Sequence, residues 1–369
     1  MASVEPLVRA PAVAAAGTRA AAVAPPSGRL NQIDALRALA AVAVMLFHYT
    51  TKFDELYGHA SAPTVSFPLG WVGVNLFFEI SGFVIFMTVE RCASWRDFVV
   101  SRFSRLYPAY WVCVALTFAV VSMLGLAGKE VGLRNALLNL LMFQTWFGVP
   151  AVDGVYWTLG VELLFYVFAL LLFVSGRIRQ PLLWLMGWCA LSIAYQVLTE
   201  RLGVWVPFTL SKFLILPYAA YFVLGICVYL IFSRATIDAL TLATAGLAAV
   251  NVWAVDGLGM AVFAVACAAV LYGAARGRVP FLGSRWIVMV GVASYPLYLI
   301  HENIGWALLL WQKRFGVEPD VAIIATAAAA IALSLALHRL VERPAMQAIR
   351  RRYRAQRATI AEATPDGSA

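Results

Sequence analysis

The sequence predicts an all-α fold, a polytopic bundle of about ten transmembrane helices with both termini cytoplasmic, and three observations predict it. Hydrophobic residues make up 62% of the chain and charged residues 13%, at a mean hydropathy of +0.81, whereas soluble domains carry about 25% charged residues. Apolar runs of about 17 to 25 residues recur along the chain, each long enough to cross the hydrocarbon core. The Lys and Arg residues between those runs are asymmetric: 20 of the 28 fall on one set of alternate segments and 7 on the other, with Arg37 left inside the first helix. That bias places the first set, and both ends of the chain, in the cytoplasm.

The elements follow in order. Residues 1–29, rich in Ala, Pro and Val, lack the continuous apolar core of a signal peptide and are expected to be a disordered cytoplasmic tail. Spanning helices are expected near 33–50, 69–89, 106–126, 155–174, 181–198, 211–232, 236–253, 258–274, 286–311 and 320–341. The apolar segment Asn135 to Val149 is too short to span and reads as re-entrant or interfacial; a crossing there would reverse every later loop and leave 11 Lys and Arg inside against 16 outside. No polar stretch between 30 and 345 is long enough to fold alone, so that range is one membrane domain, and the basic segment 346–369 is expected to be a disordered cytoplasmic tail. The five cysteines (Cys92, Cys113, Cys189, Cys227, Cys267) show no CxxC spacing and read as small core residues, with no metal site expected. The net charge of +9 does not point to nucleic acid, because it sits in short loops and at the ends, where it sets topology.

Several ionisable residues interrupt the apolar runs, and such residues are costly in hydrocarbon unless they have partners or a task. Arg37 and His48 share the first helix with Asp34; eleven residues separate the first two, roughly 16 Å along the axis and within about 20° of one face. Glu79, Ser81 and Gly82 fall inside the second helix, Arg102 and Arg105 in the loop before the third, and Glu162 near the outer end of the fourth, at the depth expected for His48. Ser294, Tyr298 and His301, at i, i+4 and i+7, share a face late in the chain.

These residues form an ordered set: Asp34-x2-Arg37-x10-His48, Phe78-Glu79-Ile80-Ser81-Gly82-Phe83, Ser101-Arg102-Phe103-Ser104-Arg105-Leu106-Tyr107-Pro108, Tyr156-Trp157-Thr158-Leu159-x2-Glu162, Ser294-Tyr295-x2-Tyr298-Leu299-Ile300-His301 and Glu342-Arg343-Pro344. The set resembles the acyltransferase 3 family of bacterial integral membrane O-acyltransferases, in order from about residue 30 to 345. The resemblance implies transfer of an acyl group, usually acetyl, from cytoplasmic acyl-coenzyme A to a hydroxyl of a glycan, glycolipid or other small hydroxylated acceptor, in the bacterial plasma membrane. It also implies that Arg37, His48, Arg102, Arg105 and Glu162 are functional positions. Typical members carry an apolar residue at position 79, so Glu79 takes no role from it.

The chemistry agrees with that expectation. Acyl transfer to an alcohol needs a base for the hydroxyl proton, and the His48 imidazole suits that at neutral pH. Glu162, at matching depth, is expected to orient the imidazole, and guanidinium groups at Arg102, Arg105 and Arg37 suit the phosphates of coenzyme A. Ser81, Tyr298 and His301 are candidates for the acceptor path. Each position also has a structural reading: interhelical hydrogen bonding for His48 and His301, topological anchoring for Arg102 and Arg105, close helix packing for Ser81-Gly82. A transporter or flippase using the buried Arg, His and Glu is the alternative function. The bilayer lipids are the one partner implied besides the acceptor, and the oligomeric state stays open.

Overall fold

The computed structural model describes residues 30–363, so the expected disordered tail 1–29 lies outside the described residues. Among those described, every regular element is helical, and nine helices are long and apolar enough to cross a membrane. Helix α1 (Asn31–Leu46) widens into a π-helical turn at Phe47–Lys52 and ends in the short α2 (Phe53–Tyr57). After α3 (Gly73–Glu90) comes α4 (Trp95–Leu124). Its start lies eleven residues earlier than expected because Ser94 and Asp97 close a reciprocal capping box there. Arg102 and Arg105 therefore sit on the helix itself and not in a loop. Thirty residues make α4 about 45 Å long, so it stands well out of the hydrocarbon.

Helix α5 (Leu133–Asn139) and a 3₁₀ turn at Gln144–Phe147 occupy the ambiguous segment. Seven residues rise only about 10 Å, and the segment does not cross. Its end is tied back onto α4, where the Tyr110 hydroxyl donates to Asn139 O (2.7 Å) and Trp111 Nε1 to Leu140 O (3.1 Å). The chain continues through α6 (Trp157–Val174), α7 (Leu182–Gln196), the short α8 (Phe208–Phe213), α9 (Ala219–Arg234), α10 (Ala239–Asp256) and α11 (Leu258–Ala275). Helix α9 is buried along nearly its whole length, as a helix apolar on all sides should be. It crosses α3 at paired glycines: a Cβ on Gly82 would collide with Phe222 O, and one on Gly225 with Glu79 O. Small residues of this kind let two backbones touch where lipid supplies no hydrophobic drive.

Over the expected span 286–311 the chain is helical but broken into α12 (Arg285–Val292), α13 (Ser294–Ile300) and α14 (Glu302–Arg314), none of which is among the nine helices long enough to cross alone. Pro296 explains the first break, since it cannot donate to Val292 O, four residues back. The second break, at His301, belongs to the site described below. Helix α15 (Pro319–Leu337) leads through a π turn at His338–Glu342 into α16 (Arg343–Ala363). This last helix corrects the expectation of a disordered basic tail over 346–369 as far as Ala363, and residues 364–369 lie outside the described residues. Arg350, Tyr353 and Arg357 recur at helical spacing and dock on α4, with Arg350 Nε donating to Ser104 Oγ (3.1 Å), the Tyr353 hydroxyl to Asp97 Oδ1 (2.9 Å) and Arg357 Nη1 to the same oxygen (2.7 Å).

Candidate active site

Two clusters of ionisable side chains lie inside the bundle, one toward the α16 end and one toward the opposite end. The first surrounds a cavity of about 290 Å³ whose polar lining includes Arg37, Arg91, Arg102, Arg105, Ser81 and Glu162. Arg102 and Arg105, one turn apart, do face the same space. Their commitments differ. Arg105 is ion-paired with Glu342, which also bonds His338 Nδ1 at 2.7 Å. Arg102 spends one nitrogen on Ser101 Oγ (3.0 Å), while its buried Nε has no hydrogen-bond partner among the described residues. Arg37 donates through Nε to Ser294 Oγ (3.1 Å) and lies over the Phe77 ring. Glu162 accepts from Ser81 Oγ (3.1 Å) and the Tyr166 hydroxyl (2.8 Å).

The second cluster centres on His48, which opens on a cavity of about 470 Å³. His48 Nδ1 lies 2.9 Å from Val44 O and 3.2 Å from His301 Nε2, and His301 Nδ1 lies 2.8 Å from Tyr298 O. A carbonyl oxygen only accepts, so in the neutral rings each Nδ1 carries the proton. His301 Nε2 then turns a lone pair toward His48, and His48 Nε2 turns its own lone pair toward the carboxylate of Glu302, 3.6 Å away. Glu302 is also reached by Lys129, whose Nζ is 3.9 Å from Oε1. Gly154 makes this packing possible, because a Cβ there would run into the Glu302 carboxylate.

The break between α13 and α14 builds this cluster. In a continuous helix Asn303 N–H would bond Leu299 O; here Asp153 Oδ2 accepts from Asn303 N (3.1 Å) and the Tyr156 hydroxyl donates to Leu299 O (3.1 Å). Side chains of the segment entering α6 have inserted into the ladder, a recognised cause of helix kinks. The first helix is opened as well. At the π turn His48 O accepts from Phe53 N–H and from Trp306 Nε1 (2.8 Å), and π turns of this kind are frequent at functional sites.

Between the two clusters lies a third, narrow cavity of about 50 Å³. It shares Arg37, Ser81, Glu162 and Tyr295 with the arginine-lined space and Val74 and Tyr298 with the His48 space. The three cavities lie in series, each separated from the next by side chains that line both.

The structure thus joins Arg37, Ser81, Arg102, Arg105 and Glu162 in one cluster and His48 with His301 in the other, with Tyr298 on the wall between. It corrects the expected pairing of Glu162 with His48: the carboxylate beside the imidazole is Glu302. Equal depth did not bring Glu162 to His48, because its carboxylate turns to Ser81 and Tyr166. Glu302, Asp153, Lys129 and Trp306 were missed. A carboxylate directly after His301, inside an apolar run, was the available signal. Among the described residues no group of His, Cys, Asp and Glu has the arrangement of a metal site.

A bundle of apolar helices enclosing paired ionisable groups defines a multi-pass membrane protein with an internal polar centre. Residues 30–339 match the family model described as an acyltransferase domain. The chain therefore belongs to the acyltransferase 3 family, which decides for a membrane O-acyltransferase over a transporter. It is similar to the acyltransferase MdmB of Streptomyces mycarofaciens, with 26% identity covering 88% of this chain and 93% of the relative. It is similar also to the exopolysaccharide production protein ExoZ of Rhizobium meliloti strain 1021, with 28% identity over 85% of this chain and 97% of the relative. The peptidoglycan O-acetyltransferase OatA of Listeria monocytogenes is 27% identical over 40% of this chain and 25% of its own length. No solved structure gives a significant match.

Proposed function

We propose that this enzyme binds acyl-coenzyme A, chiefly acetyl-coenzyme A, at the arginine-lined end and transfers the acyl group to a hydroxyl of a glycan or lipid-linked saccharide at the His48 end. The observation that carries this reading is the series of three adjacent cavities, with shared wall residues, that leads from Arg102 to His48. The phosphates of the donor meet Arg102, Arg91 and Arg37, and the thioester arm extends between α1 and α3 past Ser81 and Tyr298. His48 Nε2 takes the acceptor hydroxyl proton as its oxygen attacks the thioester carbonyl carbon. The carbon–sulfur bond breaks, and His48 returns the proton to the departing thiolate. His301 and Glu302 hold the imidazole from its two sides and are positioning residues, Glu302 also stabilising the imidazolium as it forms. The names of the exopolysaccharide and peptidoglycan relatives support a glycan acceptor.

In this reading the α16 end faces the cytoplasm of a bacterial cell and the enzyme lies in its plasma membrane, and the Lys and Arg distribution supports that orientation. A single cysteine replacing exposed Arg351 should be labelled by an impermeant maleimide only after the membrane is opened; labelling of intact cells would reverse the orientation.

Donor binding is tested at Arg102. Arg102→Ala should weaken acetyl-coenzyme A binding about tenfold or more, the worth of one charge-assisted contact of roughly 1.5–3 kcal/mol, with little change in melting temperature. Arg105→Ala should instead lower stability as well, because it takes the arginine away from the buried Glu342 carboxylate and leaves it only His338 among the described residues. Unchanged donor affinity in folded Arg102→Ala protein, measured by calorimetry in nanodiscs, would return the arginine to a topological role.

A further inference from the structure

We propose that the wall of the His48 cavity opposite the imidazole is an acceptor subsite, built by Asn75, Asp256 and Tyr221 with the Trp157–Tyr218 ring pair, that takes a neutral or amine-bearing hydroxylated ring and excludes anionic ones. The identity of the ligand as the acceptor rests on the acyl-transfer reading; the site itself rests on three other observations. Asn75 on α3 is only 6% exposed and lines the cavity, yet its side chain makes no hydrogen bond among the described residues. Its amide, with two donors and an acceptor, is therefore open to the cavity and free to bond a group that enters it. Asp256, the last residue of α10, holds a carboxylate at the negative end of a helix dipole, an unfavourable place for an anion. Its Oδ2 accepts from the Tyr221 hydroxyl at 2.7 Å, and no further bond to its carboxylate is made among the described residues, so Oδ1 stays open to accept from an incoming hydroxyl or ammonium group.

The third observation concerns shape and charge. Trp157 and Tyr218 both line the cavity, with ring centroids 5.4 Å apart and planes inclined at 40°, so that either ring offers an apolar face on which one face of a sugar ring packs. Two carboxylates, Asp256 and Glu302, line the space, and no Lys or Arg among the described residues does so. Glu302 has Lys129 beside it and Asp256 is paired with no cation among the described residues, so an acceptor bearing a carboxylate or phosphate at this position meets like charge at Asp256, whereas hydroxyl and ammonium groups meet an acceptor there. Hydroxyls held by Asn75 and Asp256 leave another on the same ring free to turn toward His48 Nε2.

The test reads binding alone. Protein in lipid nanodiscs is titrated with methyl β-glucoside, methyl β-glucosaminide and methyl β-glucuronide and followed by saturation-transfer NMR, with acetyl-coenzyme A binding measured on the same preparation. The glucoside and glucosaminide are expected to bind, and the glucuronide at least tenfold more weakly. Asp256→Asn should weaken the glucosaminide most, about tenfold, and bring the glucuronide closer to the glucoside. Asn75→Ala, which removes no bond within the protein, should weaken the glucoside about fivefold, the worth of a neutral hydrogen bond. Equal binding of the glucuronide, no binding of any of the three, or a charge preference that Asp256→Asn leaves unmoved would overturn the subsite. Donor bound with all glycosides unbound refutes the subsite alone; glycosides bound with donor unbound refutes the donor assignment alone.

Discussion

His48→Ala is expected to leave the protein inserted, folded and able to bind donor while lowering acyl transfer by about 10²–10⁴-fold, the usual contribution of a positioned base. The local structure supports the separation. The π turn that carries His48 is held through its backbone, with His48 O accepting from Trp306 Nε1 at 2.8 Å, and that bond does not depend on the imidazole. Of the side chain's own contacts, that to Val44 O lies within its own helix and that to His301 Nε2 is worth roughly 0.6–2 kcal/mol as interhelical hydrogen bonds go. A purely structural histidine would therefore lose stability and activity together, in similar small measure. His48→Gln sharpens the contrast, because an amide keeps a hydrogen bond but takes no proton at neutral pH. Near-normal turnover by folded His48→Gln protein would remove His48 as the base.

Glu302→Gln is expected to lower kcat by about 10²-fold with little change in donor affinity, and to exceed the effect of Glu162→Gln by at least tenfold. Glu302 faces the nitrogen that gains the proton, and an imidazolium forming beside a neutral amide loses its counter-charge. Glu162 touches Ser81 and Tyr166 in the arginine-lined space, so its neutralisation should act on donor KM more than on kcat. Steady-state kinetics of the two variants, with acetyl-coenzyme A as varied substrate, separate the cases. A kcat loss confined to Glu162→Gln would restore Glu162 as the partner of the imidazole and leave Glu302 a structural acid.

The limits of the sequence are visible in this same pair. Spanning helices were legible because hydrocarbon demands long apolar runs, and the unusual positions were legible because an Arg or His inside such a run is costly. Depth was legible too, but azimuth was not. Glu162 and His48 share an estimated depth, yet the direction of a side chain around its helix depends on how helices pack, and the Glu162 carboxylate ends in a different cavity. Glu302 posed the opposite difficulty. Consecutive residues on a regular helix point about 100° apart, which argues against His301 and Glu302 both reaching one imidazole. They reach its two sides because Asp153 and Tyr156, from a segment nearly 150 positions away, have opened the helix between them. Helix α16 was hidden by composition: its arginines read as a solvated tail, while the pattern Arg350, Tyr353, Arg357 that fits the α4 surface became meaningful only once Asp97 and Ser104 were known to face it.

The opened helix also bears on how the protein is made. Asp153 leaves the ribosome long before Asn303, and His48 before Trp306, so each waits for a partner that has not been synthesised. At about 5–20 residues per second, the interval between Asp153 and Asn303 is roughly 8–30 s. Throughout it the early helices lie in the bilayer with Asp153 Oδ2 and the second acceptor position of His48 O still without their late partners. The centre closes only when the α13–α14 segment docks, which makes the last third of the chain the step that commits the earlier spans to their final packing.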